Sequence, residues 1–550
     1  MKVTTMRAGL AAALLTTALL AACESGPDGS VADGISTSSG ASAPVGASSV
    51  ARAASGPTVL GFQPQGLYAP AAPPAAIGGE RYQPFDANPV RLAAEHPVST
   101  FSVDVDTGSY SNVRRLLNAG EMPPADAVRV EEMINYFDYG YVRPTDREAP
   151  FAVTTEVGRT PWNPDSYLLQ IGIKGYDIDR ASRPPVNLVF LVDVSGSMHS
   201  ADKLPLLVQS LKMLTDQLTA ADRIAIVTYS GRAGVALETT PGDRKAEIRT
   251  VLDGLQAGGA TAGGDGLQRA YALAEQARID GGVNRVLLAT DGDFNVGISD
   301  VDRLKELISA KRDGGITLTT LGFGTGNYNE ALMEQIADVG NGNYAYIDGL
   351  AEARKVLVNE MSSTLFTIAR DVKIQVEFNP AVIAEYRLVG FENRLLKRAD
   401  FNNDKVDAGE IGAGHTVTAL YEIVPAGGRT AVDPLRYGGA AAGPATPDTA
   451  EFAFLKLRYK LPGQAASILM QQPLAASRLA SAGSGTPSAD LRFAAAVAAF
   501  GQILRGGRHT GSFDYDDVLT LARDARGDDP LGYRAGFLTL VDLAKGLDGS

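Results

Sequence analysis

The stretch Asn187-Leu188-Val189-Phe190-Leu191-Val192-Asp193-Val194-Ser195-Gly196-Ser197-Met198 decides how the chain is read. An apolar run of strand length, lacking the alternation of a half-exposed strand, points to a strand covered on both faces. It ends in an aspartate and two serines spaced by two, and a helical pattern begins at Lys203. This order delivers oxygen groups to the carboxyl end of a buried strand, where open parallel sheets place their ligands.

Outward from this stretch, strand and helix patterns alternate. Strand patterns cover 186–192, 223–229, 235–238, 285–289, 317–323 and 344–347, and helical patterns cover 203–218, 246–252, 265–276, 301–313, 329–337 and 351–365. Apolar strands separated by helices predict an α/β domain with a mostly parallel, doubly wound sheet. Two further loops carry oxygen groups to the same edge. Thr261 lies in Gly258-Gly259-Ala260-Thr261-Ala262-Gly263-Gly264, where glycines permit close backbone approach. Asp291, in Thr290-Asp291-Gly292, ends the fourth strand.

Together, Asp193, Ser195, Ser197, Thr261 and Asp291 resemble the metal-ion-dependent adhesion site of the von Willebrand factor type A domain family. Hydroxyl and carboxylate oxygens suit a small hard cation, Mg2+ first, with Mn2+ or Ca2+ as substitutes. The resemblance implies direct contacts from the three hydroxyls and water-mediated, orienting roles for Asp193 and Asp291. It also implies that the short third strand is an antiparallel edge. Mostly neutral direct ligands leave such an ion underneutralised, so an Asp or Glu from a partner protein completes its shell. The expected function is a divalent-metal-dependent protein-binding module. The alternatives are a structural or assembly protein whose metal only stabilises the loops, and, more remotely, a Mg2+-dependent hydrolase. Enzyme signatures are weak: there is no His-Glu-x-x-His pattern, no phosphate loop ending in Gly-Lys-Ser/Thr, and no evident base for Ser195. His199 reads as a solvent-facing residue, and Asp293 receives no ligand role.

The flanks read differently. Met1-Lys2 and Arg7 precede a short apolar run that closes with Leu20-Ala21-Ala22-Cys23, too short to span a bilayer. This resembles a bacterial lipoprotein signal at 1–22, cut before Cys23, whose acylation (palmitate among its chains) would anchor the protein in the cell envelope. Glu24 favours the periplasmic face of the outer membrane. Cys23 is the single cysteine, so no intramolecular disulfide forms. Residues 23–80, rich in Gly, Ala, Ser and Pro, read as a flexible tether with a reach of roughly 40 Å. The net charge of -13 gives no general reason to expect nucleic acid.

The ordered chain divides into an N-terminal extension (81–184), the α/β domain (185–365), a β-rich region (366–470) and a small helical region (471–550). In the extension, the phrases Ser99 to Tyr110 and Val128 to Phe137 resemble those of a bacterial subgroup of the same family. Asp104 and Asp106 invite a metal reading, but solvent-facing aspartates on a strand edge explain them as well. Strand patterns between Phe151 and Ile173 are expected to pair with strands beyond Leu365, which makes the α/β domain an insertion in a β-rich body. Those later strand patterns are 372–378, 383–389, 415–423 and 452–459. Asp400 to Asp407 has the oxygen content of a calcium loop, but Lys405 stands where that loop needs glycine and Ile411 replaces its terminal acid, so it reads as a polar loop. Helical patterns at 488–505, 515–522 and 531–544 resemble the subgroup's C-terminal domain, with Asp514, Asp516 and Asp517 read as helix-start groups.

Overall fold

The computed structural model describes residues 79–145, 148–179, 181–259, 264–292, 301–326, 328–433 and 449–549. The signal, Cys23, the tether up to residue 78, Thr261 and Asp293 lie outside the described residues.

Strands β1 (Arg91–Leu92) and β2 (Val98–Ser102) lead into helices α1 (Gly108–Asn118) and α2 (Val130–Asn135), followed by β3 (Phe151–Arg159) and β4 (Tyr167–Gly175). The α/β domain then runs β5 (Val186–Asp193), α3 (Leu204–Gln217), β6 (Arg223–Tyr229), β7 (Ala233–Pro241), α4 (Lys245–Asp253), α5 (Gly264–Gln276) and β8 (Val283–Thr290). It continues through α6 (Val301–Asp313), β9 (Thr317–Phe323), α7 (Glu330–Val339), β10 (Tyr344–Ile347), α8 (Leu350–Arg354) and α9 (Met361–Leu365). Beyond it come β11 (Thr367–Phe378), β12 (Ile383–Val389), β13 (Ile411–Gly412), β14 (Thr416–Pro425), β15 (Glu451–Lys460) and β16 (Ile468–Ala475). Helices α10 (Ser477–Ser484), α11 (Ala489–Leu504), α12 (Tyr515–Asp524) and α13 (Tyr533–Asp548) close the chain.

The six-stranded central sheet has the order β10-β9-β8-β5-β6-β7, parallel except for the antiparallel edge strand β7. β5 is buried along its whole length, which is why its sequence is apolar without alternation. Leu188, Phe190 and Val192 share a core with Leu207, Leu211 and Leu214 of α3. The intervening Val189 and Leu191 share another with Leu267, Tyr271 and Ala274 of α5. The strand's period of two thus feeds two helix layers.

Two antiparallel sheets form the β-rich body: β1-β12-β14-β4-β3, and β13-β11-β15-β16 with β2 also paired to β11. β4 pairs with β14 from Tyr167↔Ile423 to Lys174↔Thr416, so strands on either side of the α/β domain share one sheet, as expected. The C-terminal helices cover the extension, with the ring of Phe137 edge-on to Phe493 and Phe537. Asp514 caps α12, accepting the Asp516 and Asp517 amides.

Two helical patterns break, and two elements carried no expectation. The sequence has a helical apolar pattern over 125–137, with Val128, Met133, Ile134 and Phe137 on one side, but the chain there breaks into a 3-10 turn (Ala125–Ala127) and α2, because Arg129 is extended and its amide donates to Ser109 Oγ at 2.8 Å. The pattern at 351–365 contains a π-helical turn, Lys355–Asn359, between α8 and α9. β16 and α10 carried no clear pattern, and β16 is an edge strand with mostly exposed residues. Among the described residues no helix is long and apolar enough to cross a membrane.

Candidate metal centre

Asp193 is the last residue of β5 and is fully buried. Its Oδ1 accepts the Ser195 amide at 2.8 Å, and its Oδ2 accepts the Thr290 hydroxyl at 2.9 Å and the Tyr229 hydroxyl at 3.2 Å. Donors from the ends of β6 and β8 therefore fix the carboxylate. Ser195 leaves the strand extended and a 3-10 turn, Gly196–His199, follows, which folds the two serine hydroxyls to 3.0 Å from each other. The Gly196 amide donates to the Gly259 carbonyl at 3.0 Å, and the Gly258 amide to the Val194 carbonyl at 2.8 Å. These bonds bind the serine loop to the glycine-rich loop that leads to Thr261. Asp291 directly follows Thr290 and is fully buried. Gly292 after it has φ +90, and a Cβ there would press on the Tyr328 and Asn329 backbone.

The structure thus brings Asp193, Ser195, Ser197 and Asp291 to one edge of the sheet, with His199 exposed as expected. Burial pushes the Asp193 carboxyl above its ordinary value, the Ser195 hydrogen bonds oppose this, and the Asp291 charge adds to it. Burial and the Asp193 charge push the Tyr229 hydroxyl well up, so it stays a donor. The donor set of paired hydroxyls beside two buried carboxylates fits a hard divalent cation. Sequence reasoning missed Lys203, whose Nζ donates to Asp291 Oδ2 at 2.9 Å. No periodicity links it to the site.

A second acidic group lies where the extension meets α7. Asp104, Glu132 and Glu334 each bring a carboxylate oxygen within 4.8 Å of the others, a candidate metal-coordinating cluster. The reading of Asp104 and Asp106 as solvent-facing is corrected: each is 4% exposed. Arg394 covers them, with Nε 3.0 Å from Asp104, Nη2 3.5 Å from Asp106 and 3.0 Å from Glu334, and Nη1 2.5 Å from Asp338. Arg129 lies 3.3 Å from Glu132 and 2.9 Å from Glu334. These guanidiniums stand against carboxylates that outnumber them, so a cation entering here competes with arginine. Burial, reinforced by neighbouring carboxylates, pushes Glu131 and Glu330 up to about 8. Protons therefore carry part of the excess charge.

Glu330 tests this balance. It is fully buried, and neither carboxylate oxygen has a hydrogen-bond partner among the described residues. A folded value near 8, above the ordinary 4.5, means its stabilising protonated form is complete below 4.5 and is lost as pH rises through 8. Glu330→Met should melt a few degrees (~3–6 °C) above wild type at pH 8.5 and close to it at pH 4.5 by differential scanning calorimetry. A lower melting point at pH 8.5 would contradict the burial argument.

The Asp400–Asp407 segment is a polar loop filled by lysines. Lys373 Nζ donates to the Asp400 and Asn403 carbonyls at 3.2 and 2.6 Å, and Lys460 Nζ to the Asp404 carbonyl at 2.7 Å.

A family model for the von Willebrand factor type A domain matches residues 187–359, which contain all of the central sheet but Val186, and its carboxyl edge. A model described as von Willebrand factor matches 76–170, and one described as the C-terminal part of the uncharacterised protein YfbK matches 363–547. The chain is 48% identical over 476 residues to YfbK of Escherichia coli K12, covering 86% of this chain and 82% of that protein. The chain belongs to the YfbK family of von Willebrand factor type A domain proteins. It is also 33% identical over 187 residues to sll0103 of Synechocystis, covering 34% of this chain and 43% of that protein. Among solved structures, the von Willebrand factor type A protein of Catenulispora acidiphila is similar at TM-score 0.38 and 16% identity, covering 72% of this chain and 91% of that one. Domains of this family typically act as non-catalytic protein-binding modules rather than enzymes.

Proposed function

We propose that the protein is a lipid-anchored module of the bacterial cell envelope that holds a partner protein through a divalent ion, with Mg2+ the first choice. Asp193, Ser195, Ser197, Thr261 and Asp291 would hold the ion. The observation that carries this reading is the Ser195–Ser197 hydroxyl pair, 3.0 Å apart beside the buried carboxylates of Asp193 and Asp291. When bound, the ion supplies a Lewis-acidic position for an external carboxylate. The chain's own part is orientation: Thr290, Tyr229 and the Ser195 amide hold Asp193 in one pose, and the Gly258–Gly259 bonds hold the serine loop. The Met1 to Cys23 segment supports envelope anchoring, and Glu24 supports the outer membrane.

The reading is tested by crosslinking the full chain in intact envelopes, with wild type and Ser197→Ala compared with and without chelator. Chelation should abolish the wild-type crosslinked species and Mg2+ should restore it, while Ser197→Ala should lose it under both conditions. Equal capture in all conditions would favour the structural alternative, in which the metal only stabilises the loops.

A further inference from the structure

We infer that Lys203 is a built-in counter-cation of this centre: it holds Asp291 while no ion is bound, and it leaves a bound divalent ion short of negative charge, so that an external carboxylate is required. The inference rests on the metal-dependent reading above and extends it to what controls occupancy. Lys203 Nζ lies 2.9 Å from Asp291 Oδ2, with the lysine side chain 9% exposed and the aspartate side chain fully buried.

The path of the lysine is prepared by a separate loop. Its stem crosses Gly324, just beyond β9, where a Cβ would collide with Lys203 Cγ, Cδ and Cε. Gly324 has φ +72, a left-handed conformation that side chains disfavour, and its carbonyl is held by the Tyr346 hydroxyl at 2.7 Å. At the other end the Lys203 amide donates to Ser200 at 3.1 Å and its carbonyl accepts from Leu207 at 2.8 Å, which pins the backbone at the start of α3. An ammonium placed this way is part of the construction of the site.

The electrostatic consequence follows from the described charges. Asp193 and Asp291 offer two negative charges, and Lys203 cancels one of them. A divalent ion arriving beside them therefore remains net positive, and an incoming carboxylate completes the balance. Without the lysine, Asp193 and Asp291 offset more of the ion's charge, and the pull on an outside carboxylate weakens. Lys203 accordingly trades ion affinity for dependence on a partner.

The test is calorimetric titration of Mg2+ onto the full chain as wild type, Lys203→Met, Lys203→Gln and Lys203→Arg, each with and without acetate as the carboxylate probe. Both neutral variants should bind Mg2+ about tenfold tighter than wild type without acetate, the scale expected for removing one nearby positive charge under strong screening. They should also lose the tightening that acetate produces in wild type, whereas Lys203→Arg should keep it. In chelator the neutral variants should melt below wild type, with the gap closing on addition of Mg2+. A merely structural lysine would leave the gap constant, and that result, or unchanged Mg2+ affinity in the neutral variants, overturns the inference. Wild type that takes up no Mg2+ overturns the proposed function itself, a different and separately visible result.

Discussion

Asp193→Ala should lower Mg2+ affinity by roughly 10–100-fold, the loss typical when a residue that orients metal ligands is removed. The same change deprives the Ser195 amide and the Thr290 and Tyr229 hydroxyls of their shared acceptor. Leaving those buried donors unpaired costs about 2–4 kcal/mol of folding stability, reduced by the relief of burying a carboxylate. Asp193→Asn separates the two effects, since its amide oxygen replaces one acceptor while the charge is gone. It should melt near wild type and still titrate weakly with Mg2+. Calorimetry showing unchanged affinity in both variants would remove Asp193 from the centre and with it the proposed site.

Arg394→Met should destabilise the folded chain by about 3–5 kcal/mol at pH 7.5 in urea unfolding, the range for stripping a buried ion pair of one partner. Arg394 faces Asp104, Asp106, Glu334 and Asp338 from within the junction of extension, α7 and β-rich body. Burial already raises the carboxyl groups of Asp106, Glu334 and Asp338 above their ordinary values. Groups raised in this way are fully stabilising below the ordinary carboxylate range and lose that contribution as pH rises through their folded values. Removing the guanidinium raises the folded values further. The deficit of the variant should therefore shrink as pH falls from 7.5 to 5. Equal deficits at both pH values would show that these carboxylates remain ionised without their arginine.

The central sheet was readable because burial on both faces leaves a local signature. The apolar run of β5 and the matching bounds of β6, β9 and β10 agree with the strand patterns. β7 is the antiparallel edge that the resemblance implies, but at Ala233–Pro241 it is longer than the 235–238 pattern, because an edge strand with one exposed face carries a weaker apolar signal. The placement of Asp193, Ser195, Ser197 and Asp291 at one edge of the sheet was readable because it depends on position at and just beyond strand ends. The fate of Asp104 and Asp106 was not. Alternation along β2 separates two faces of a strand, but says nothing about Arg394 arriving almost three hundred residues later to cover the loop after it. The break at Arg129 escaped for a similar reason, since the amide leaves the helix for Ser109, a partner on a different helix.

Sequence by itself determined the α/β architecture and the loops beyond the strand ends that carry the oxygen groups, because these follow from periodicity and from chemistry within a few residues. The tertiary structure alone decided which charges meet. Lys203 reaches Asp291 across 88 residues of chain, by a path left open by a glycine in a third loop. Coulomb energy in a poorly solvated interior depends on distances of a few ångströms, and only the folded packing sets those distances.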